Sequence, residues 1–179
     1  MMHFKRIKTV DNEIFESINL LYEYAFPHHE RRSRDAFEQL TLHEESFVCN
    51  AIFDENQQVG FINFWRLDGF IFVEHFAINE EFRDRKLGAS TMKYLMQMAV
   101  EPIVLEVEMP HSNDASRRIH FYERLGFYVL SDFYVQPPYH STDFPTPMLI
   151  MSNNYQYCKK HFHAVKEKIY TKVYHFKTA

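Results

Sequence analysis

The sequence predicts an α/β domain with a mixed central sheet, and three features of the chain carry that expectation. First, Phe70 to Ile78 is a β-branched and aromatic run, followed by a break and then by Met92, Leu95, Met96 and Ala99 at i, i+3, i+4 and i+7. With Ile103 to Met109 as the next apolar run, this reads as strand, helix, strand, and such a crossover makes the two strands parallel neighbours. Second, the preceding runs Phe47–Phe53 and Val59–Trp65 are separated by Asp54-Glu55-Asn56-Gln57, and Asp68-Gly69 lies before Phe70. These turn signals predict an antiparallel meander of three strands. Third, segments of helical period flank the strands on both sides in sequence, which supplies helices to cover a sheet.

Taken in order, Phe4 to Val10 alternates weakly and reads as a short first strand. From Asp11, the predicted N-cap, Ile14, Ile18, Leu21, Tyr22 and Ala25 trace one helical face until Pro27 ends it. A charged segment, His28 to Arg34, precedes a second helix in which Phe37 and Leu40 face inward and Ser33 is the cap. Asn113 to Gly126 forms a helix with Gly126 as its left-handed C-cap. Tyr128 to Val135 and Met148 to Met151 are the last strands, joined through a loop rich in proline and aromatics. In the tail, Phe162, Val165, Ile169, Val173 and Phe176 predict one amphipathic helix over 154–176, which packs on the domain or on a second copy in a homodimer.

A chain of 179 residues can bury its own core, and the absence of repeats, linkers or low-complexity tracts predicts a single domain over 1–179. With 18 Phe and 11 Tyr, that core is one of large rings. The net charge of −4 argues against nucleic acid or anionic membrane as a general partner. Two cysteines, Cys49 and Cys158, give no disulfide framework. No apolar run is long enough to span a bilayer, and His3, Lys5, Arg6 and Lys8 interrupt the start, so the expected location is cytoplasmic. The histidine pairs lack partners at ligand spacing, and no metal is expected.

The chemistry concentrates after Ile78. Arg83-Asp84-Arg85-Lys86-Leu87-Gly88-Ala89 places three cations around a glycine where a helix begins. Unpaired first-turn amides, the positive end of the helix dipole and the cations all favour a bound phosphate. Such a turn alone is equally a solvated surface. A second stretch, Phe121-Tyr122-Glu123-Arg124-Leu125-Gly126-Phe127, closes the helix after Leu105-Glu106-Val107-Glu108-Met109.

In order and spacing, these two stretches resemble the signatures of the GNAT superfamily of acyl-CoA-dependent N-acyltransferases, over roughly residues 47–151. Arg83, Gly88 and Ala89 match the phosphate signature, with Lys86 where the first glycine usually stands. Phe121, Tyr122, Glu123, Gly126 and Phe127 match the second signature. The asparagine usual seven residues before the tyrosine is replaced by Ala115, and Asn113 is the nearest substitute.

The resemblance implies acetyl-CoA as cosubstrate and transfer to a primary amine by direct attack in a ternary complex. It implies that Phe76, Ala77 and Ile78 line the pantetheine arm. Arg83, Asp84, Arg85, Lys86, Leu87, Gly88 and Ala89 form the pyrophosphate turn, with Asn113 as a further contact. Tyr122 matches the tyrosine near the thioester sulfur, where a phenol protonates the departing thiolate. The base is open: Glu74, a carboxylate on an apolar strand, is the first candidate, while Glu106 and Glu108 are either rivals or anchors for a cationic acceptor. Two other readings stay open, a CoA-binding sensor or interaction module without turnover, and a domain that only dimerises through its last helix.

Overall fold

The computed structural model describes residues 1–83 and 85–176, leaving aside the side chains of Ser131 and Asp132. It comprises two compact units, Met1–Arg66 with Val73–Met98, and Leu67–Phe72 with Ala99–Ala179.

In the first unit the strands β1 (Met2–Arg6), β2 (Phe47–Asp54), β3 (Gln57–Leu67) and β4 (Phe70–Ile78) follow one another in the order β1-β2-β3-β4. Strands β1 and β2 pair antiparallel from Met2↔Asp54 to Arg6↔Asn50, and β2 pairs with β3 from Phe47↔Trp65 to Asp54↔Gln57. The predicted hairpin turn is a two-residue loop in which Glu55 takes a left-handed φ of 55°. Helices α1 (Glu13–Ala25), α2 (Arg34–His43) and α3 (Leu87–Met98) complete the unit. The cap of α1 is Asn12 rather than Asp11: its side-chain oxygen accepts from the Phe15 amide at 3.0 Å. Ser33 caps α2 as expected, accepting from Ala36. The buried face of α1 is Phe15, Ile18, Leu21 and Tyr22. Tyr22 lies 4.8 Å from Phe37 between ring centroids and Phe47 lies 5.2 Å from Trp65, so the aromatic composition does build this core.

One glycine sets how closely two strands approach. A Cβ on Gly60 in β3 would overlap the Ala77 carbonyl oxygen and sit 3.0 Å from Ile78 Cα in β4. Both obstacles are main chain, so neither can rotate away. Gly60→Ala is therefore expected to destabilise the fold by about 1–3 kcal/mol, the usual range for overpacking, read as a lower denaturant midpoint at unchanged slope.

In the second unit the start of β4 joins β5 (Ile103–Glu108), β6 (Tyr128–Gln136) and β7 (Thr146–Ser152) in the order β4-β5-β7-β6. The Ile71 amide donates to the Pro102 carbonyl at 2.8 Å, bringing the beginnings of β4 and β5 together as the predicted crossover requires. Strand β7 pairs antiparallel with both β5 and β6. Helix α4 (Asn113–Glu123) ends at Gly126, whose φ of 86° fits the predicted cap, and the Phe127 amide folds back onto the Tyr122 carbonyl.

The tail differs from the expected single helix. It forms α5 (Tyr155–Lys160), α6 (Phe162–Lys168) and a wide π-turn, Ile169–Val173, with the break at His161. The apolar spacing holds all the same: Phe162, Val165, Ile169 and Val173 are buried, and the wide turn also buries Tyr170, 5.6 Å from Tyr134 between centroids. Cys49 and Cys158 are free and buried. Among the described residues no helix is long and apolar enough to cross a membrane.

Candidate active site

The last three residues of β4, Phe76, Ala77 and Ile78, are apolar yet only half-buried, whereas Phe70 to Val73 are buried. Glu74 belongs to the same feature in an unexpected way. The residue as a whole is partly accessible, but its side chain is 1% exposed, so the accessible part is main chain.

After β4, a short turn, Glu80–Phe82, leads to the basic segment. Arg83 is exposed and pairs with Glu80 at 3.2 Å, and the Arg85 guanidinium lies 5.3 Å from the Phe82 ring centroid. Asp84 lies outside the described residues. Lys86 is exposed and adopts a left-handed φ of 60°, the backbone region that favours glycine, at the position where the resemblance expects one. Such a backbone costs a side-chain-bearing residue roughly 1–2 kcal/mol. Leu87 is buried and anchors α3, Gly88 and Ala89 are half-buried, and Ser90 is the first amide of α3 to pair within the helix, with the Lys86 carbonyl at 3.0 Å. The cations Arg83, Arg85 and Lys86, just before the start of α3, are all exposed.

The Glu74 side chain enters a buried polar cluster. One carboxylate oxygen accepts from Arg32 Nη2 at 2.8 Å, the other from Trp65 Nε1 at 2.6 Å. Arg32 is itself only 12% exposed, its guanidinium 5.8 Å from the Trp65 ring centroid, and its amide donates to the Tyr22 hydroxyl. His75, which strict alternation puts on the opposite face, also meets this segment: Nε2 lies 2.9 Å from the Glu30 carbonyl oxygen, and the ring stands edge-on to Tyr22. Burial holds its imidazole below the usual histidine range and therefore neutral. Burial together with the Glu74 charge pushes the Tyr22 phenol well up.

The second unit holds the remaining predicted residues. Tyr122 on α4 is buried, its ring 5.0 Å from Phe121 and 5.6 Å from Phe127 between centroids. Burial pushes its hydroxyl up to about 12, with Arg118 pulling the other way. Asn113 is exposed at the first turn of α4, where the neighbouring Ser112 provides the cap, and Ala115 is buried.

Glu106 and Glu108 share a face of β5 but have different partners. Glu108 pairs with Arg118 at 2.5 Å. Glu106 accepts from the Tyr134 hydroxyl, from Gln136 Nε2 at 2.5 Å and from the Tyr174 hydroxyl at 2.7 Å. Burial and the Glu106 charge raise the Tyr134 phenol well above its ordinary value. Arg32, Trp65, Arg118, Tyr134, Gln136 and Tyr174 are the polar partners that sequence reasoning missed. Only the arginine-rich run His28 to Arg34 carried a hint, since a buried carboxylate calls for a cation.

The sequence pattern of the Acetyltransferase (GNAT) family matches residues 12–127, and the chain belongs to that family. Among solved structures, a GNAT-family protein from Bacteroides thetaiotaomicron is 36% identical, with a TM-score of 0.94 over 98% of this chain and 99% of that one. An aminoglycoside 6'-N-acetyltransferase solved with coenzyme A shares the fold at 17% identity and a TM-score of 0.62, covering 84% of this chain and 95% of that one. A GNAT acetyltransferase from Elizabethkingia anophelis, solved with acetyl-CoA, does so at 16% and 0.57, covering 84% and 96%. Among curated proteins no sequence matches the chain.

Proposed function

We propose that the protein is an acyl-CoA-dependent N-acetyltransferase that moves an acetyl group from acetyl-CoA to a primary amine. The observation that carries this reading is the end of β4: an apolar, half-buried strand, its main chain partly accessible at Glu74, running directly into a basic turn and the start of α3. The pantetheine arm would pair along Phe76, Ala77 and Ile78, and the pyrophosphate would rest on the turn from Arg83 to Ala89. The amine nitrogen attacks the thioester carbonyl, the carbon–sulfur bond breaks, and the thiolate takes the Tyr122 proton. Glu74, directly or through water, takes the proton that the amine loses. Glu106 and Glu108 stand as the acceptor-side carboxylates, and Asn113 as a flanking cofactor contact.

Lys86 in place of the first glycine and Ala115 in place of the asparagine depart from the family pattern and favour, as a second reading, a CoA-binding module without turnover. Calorimetric titration with acetyl-CoA, set against acetyl-pantetheine, tests the cofactor. Binding that depends on the phosphates supports both readings, and thiol release on screening primary amines separates them. No binding refutes both. Reversing charge at Arg83 and Arg85 together is expected to weaken acetyl-CoA by about tenfold or more and to leave acetyl-pantetheine unchanged. Equal effects on both ligands would remove the phosphate turn from the reading.

A further inference from the structure

Helix α1 presents a second stripe, away from its buried face. Glu13, Glu16, Ser17, Leu20 and Tyr24 recur at i, i+3, i+4, i+7 and i+11, so they run along one side of the helix. Together with the connection Asn79 to Glu81 they wall a groove of about 680 Å3. Its apolar surface is exposed: Leu20 is 66% and Tyr24 67% accessible. The Tyr24 hydroxyl donates to Glu80 at 2.8 Å, which holds that ring against the far wall. Around this surface stand four carboxylates. Glu16 pairs with Arg34 and Glu80 with Arg83, while Glu13 and Glu81 have no ion-pair partner among the described residues. The groove is therefore apolar within and negatively charged at its rim.

We propose that this groove docks a basic polypeptide segment in which an apolar side chain lies between cations. Charge complementarity selects the cations, and the exposed Leu20 and Tyr24 select a peptide over a plain polyamine, which has no bulky apolar group to bury. The stripe is roughly 16 Å long at the helical rise, the reach of about five residues of extended chain. The site lies outside the residues assigned to acetyl transfer, and it stands whether or not the chain turns over acetyl-CoA.

The test is fluorescence anisotropy at low salt with a labelled, end-blocked Lys-Leu-Lys-Leu-Lys peptide and no acetyl-CoA. Binding is expected to weaken with salt, and Glu13→Lys with Glu81→Lys to raise the Kd by about tenfold or more. A control swap at two exposed acidic residues of the other unit, Glu101→Lys with Glu167→Lys, is expected to change it by less than about twofold. Leu20→Ser should weaken the peptide further. Absence of binding, or equal loss in both double variants, overturns the proposal. Displacement of the peptide by spermine with no effect of Leu20→Ser also overturns it, in favour of a polyamine site. All five side chains are exposed, so the variants keep the fold and circular dichroism verifies that they do.

Discussion

Tyr122→Phe is expected to lower kcat by about 10²–10⁴-fold, the range for loss of one positioned general acid, and to leave the acetyl-CoA Kd within about twofold. The ring of Tyr122 packs against Phe121 and Phe127, and phenylalanine fills the same space, so only the hydroxyl is removed. Burial raises the hydroxyl to about 12, which keeps it protonated through neutral and mildly alkaline pH. Consequently the wild-type rate should show no alkaline fall from Tyr122 below about pH 11, since a raised value extends the protonated form upward. Steady-state kinetics with calorimetry on the same variant check both halves. An unchanged kcat would leave Tyr122 as a packed helix-end aromatic.

The residues that could be read from sequence are those whose signal is local. Gly126 needs only its own φ and the helix before it, and Ser33 and the Asp54–Gln57 turn act within four residues. The crossover between β4 and β5 follows from element order alone. The cap of α1 slipped by one residue because Asp11 and Asn12 are chemically equivalent as caps, and only geometry chooses between them. The apolar spacing of the tail is continuous and so predicts one helix, whereas the wide turn places Tyr170 against Tyr134, a contact 36 residues apart that the spacing does not carry.

The site divides in the same manner. The basic turn from Arg83 to Ala89 is a contiguous motif, and the lysine in place of glycine is visible in it; the left-handed backbone of that lysine is not. What could not be read were the long-range pairs: Arg32 with Glu74 is separated by 42 residues and Tyr174 with Glu106 by 68. Nothing in a single sequence specifies which of several arginines or tyrosines a carboxylate will meet.

Arg32→Ala is expected to cost about 3–5 kcal/mol of stability, because it strips the cation from a carboxylate whose side chain is 1% exposed. That is a large share of the roughly 5–15 kcal/mol available to a domain. Replacing both partners, as in Arg32→Met with Glu74→Leu, should cost much less than the sum of the single changes, since no buried charge is then left unpaired. The protein has a single tryptophan, Trp65, whose ring nitrogen donates to Glu74, so its fluorescence reports on this pair directly during denaturation. The same variants separate the two roles of Glu74. If it is the base, Glu74→Gln lowers kcat per folded molecule, most strongly at neutral pH and below, while Arg32→Ala retains the carboxylate and much of the rate when assayed well below its melting temperature. If Glu74 only holds the 30–32 segment to β4, both variants melt early, yet neither loses kcat per folded molecule, and the base must be sought at Glu106 or Glu108.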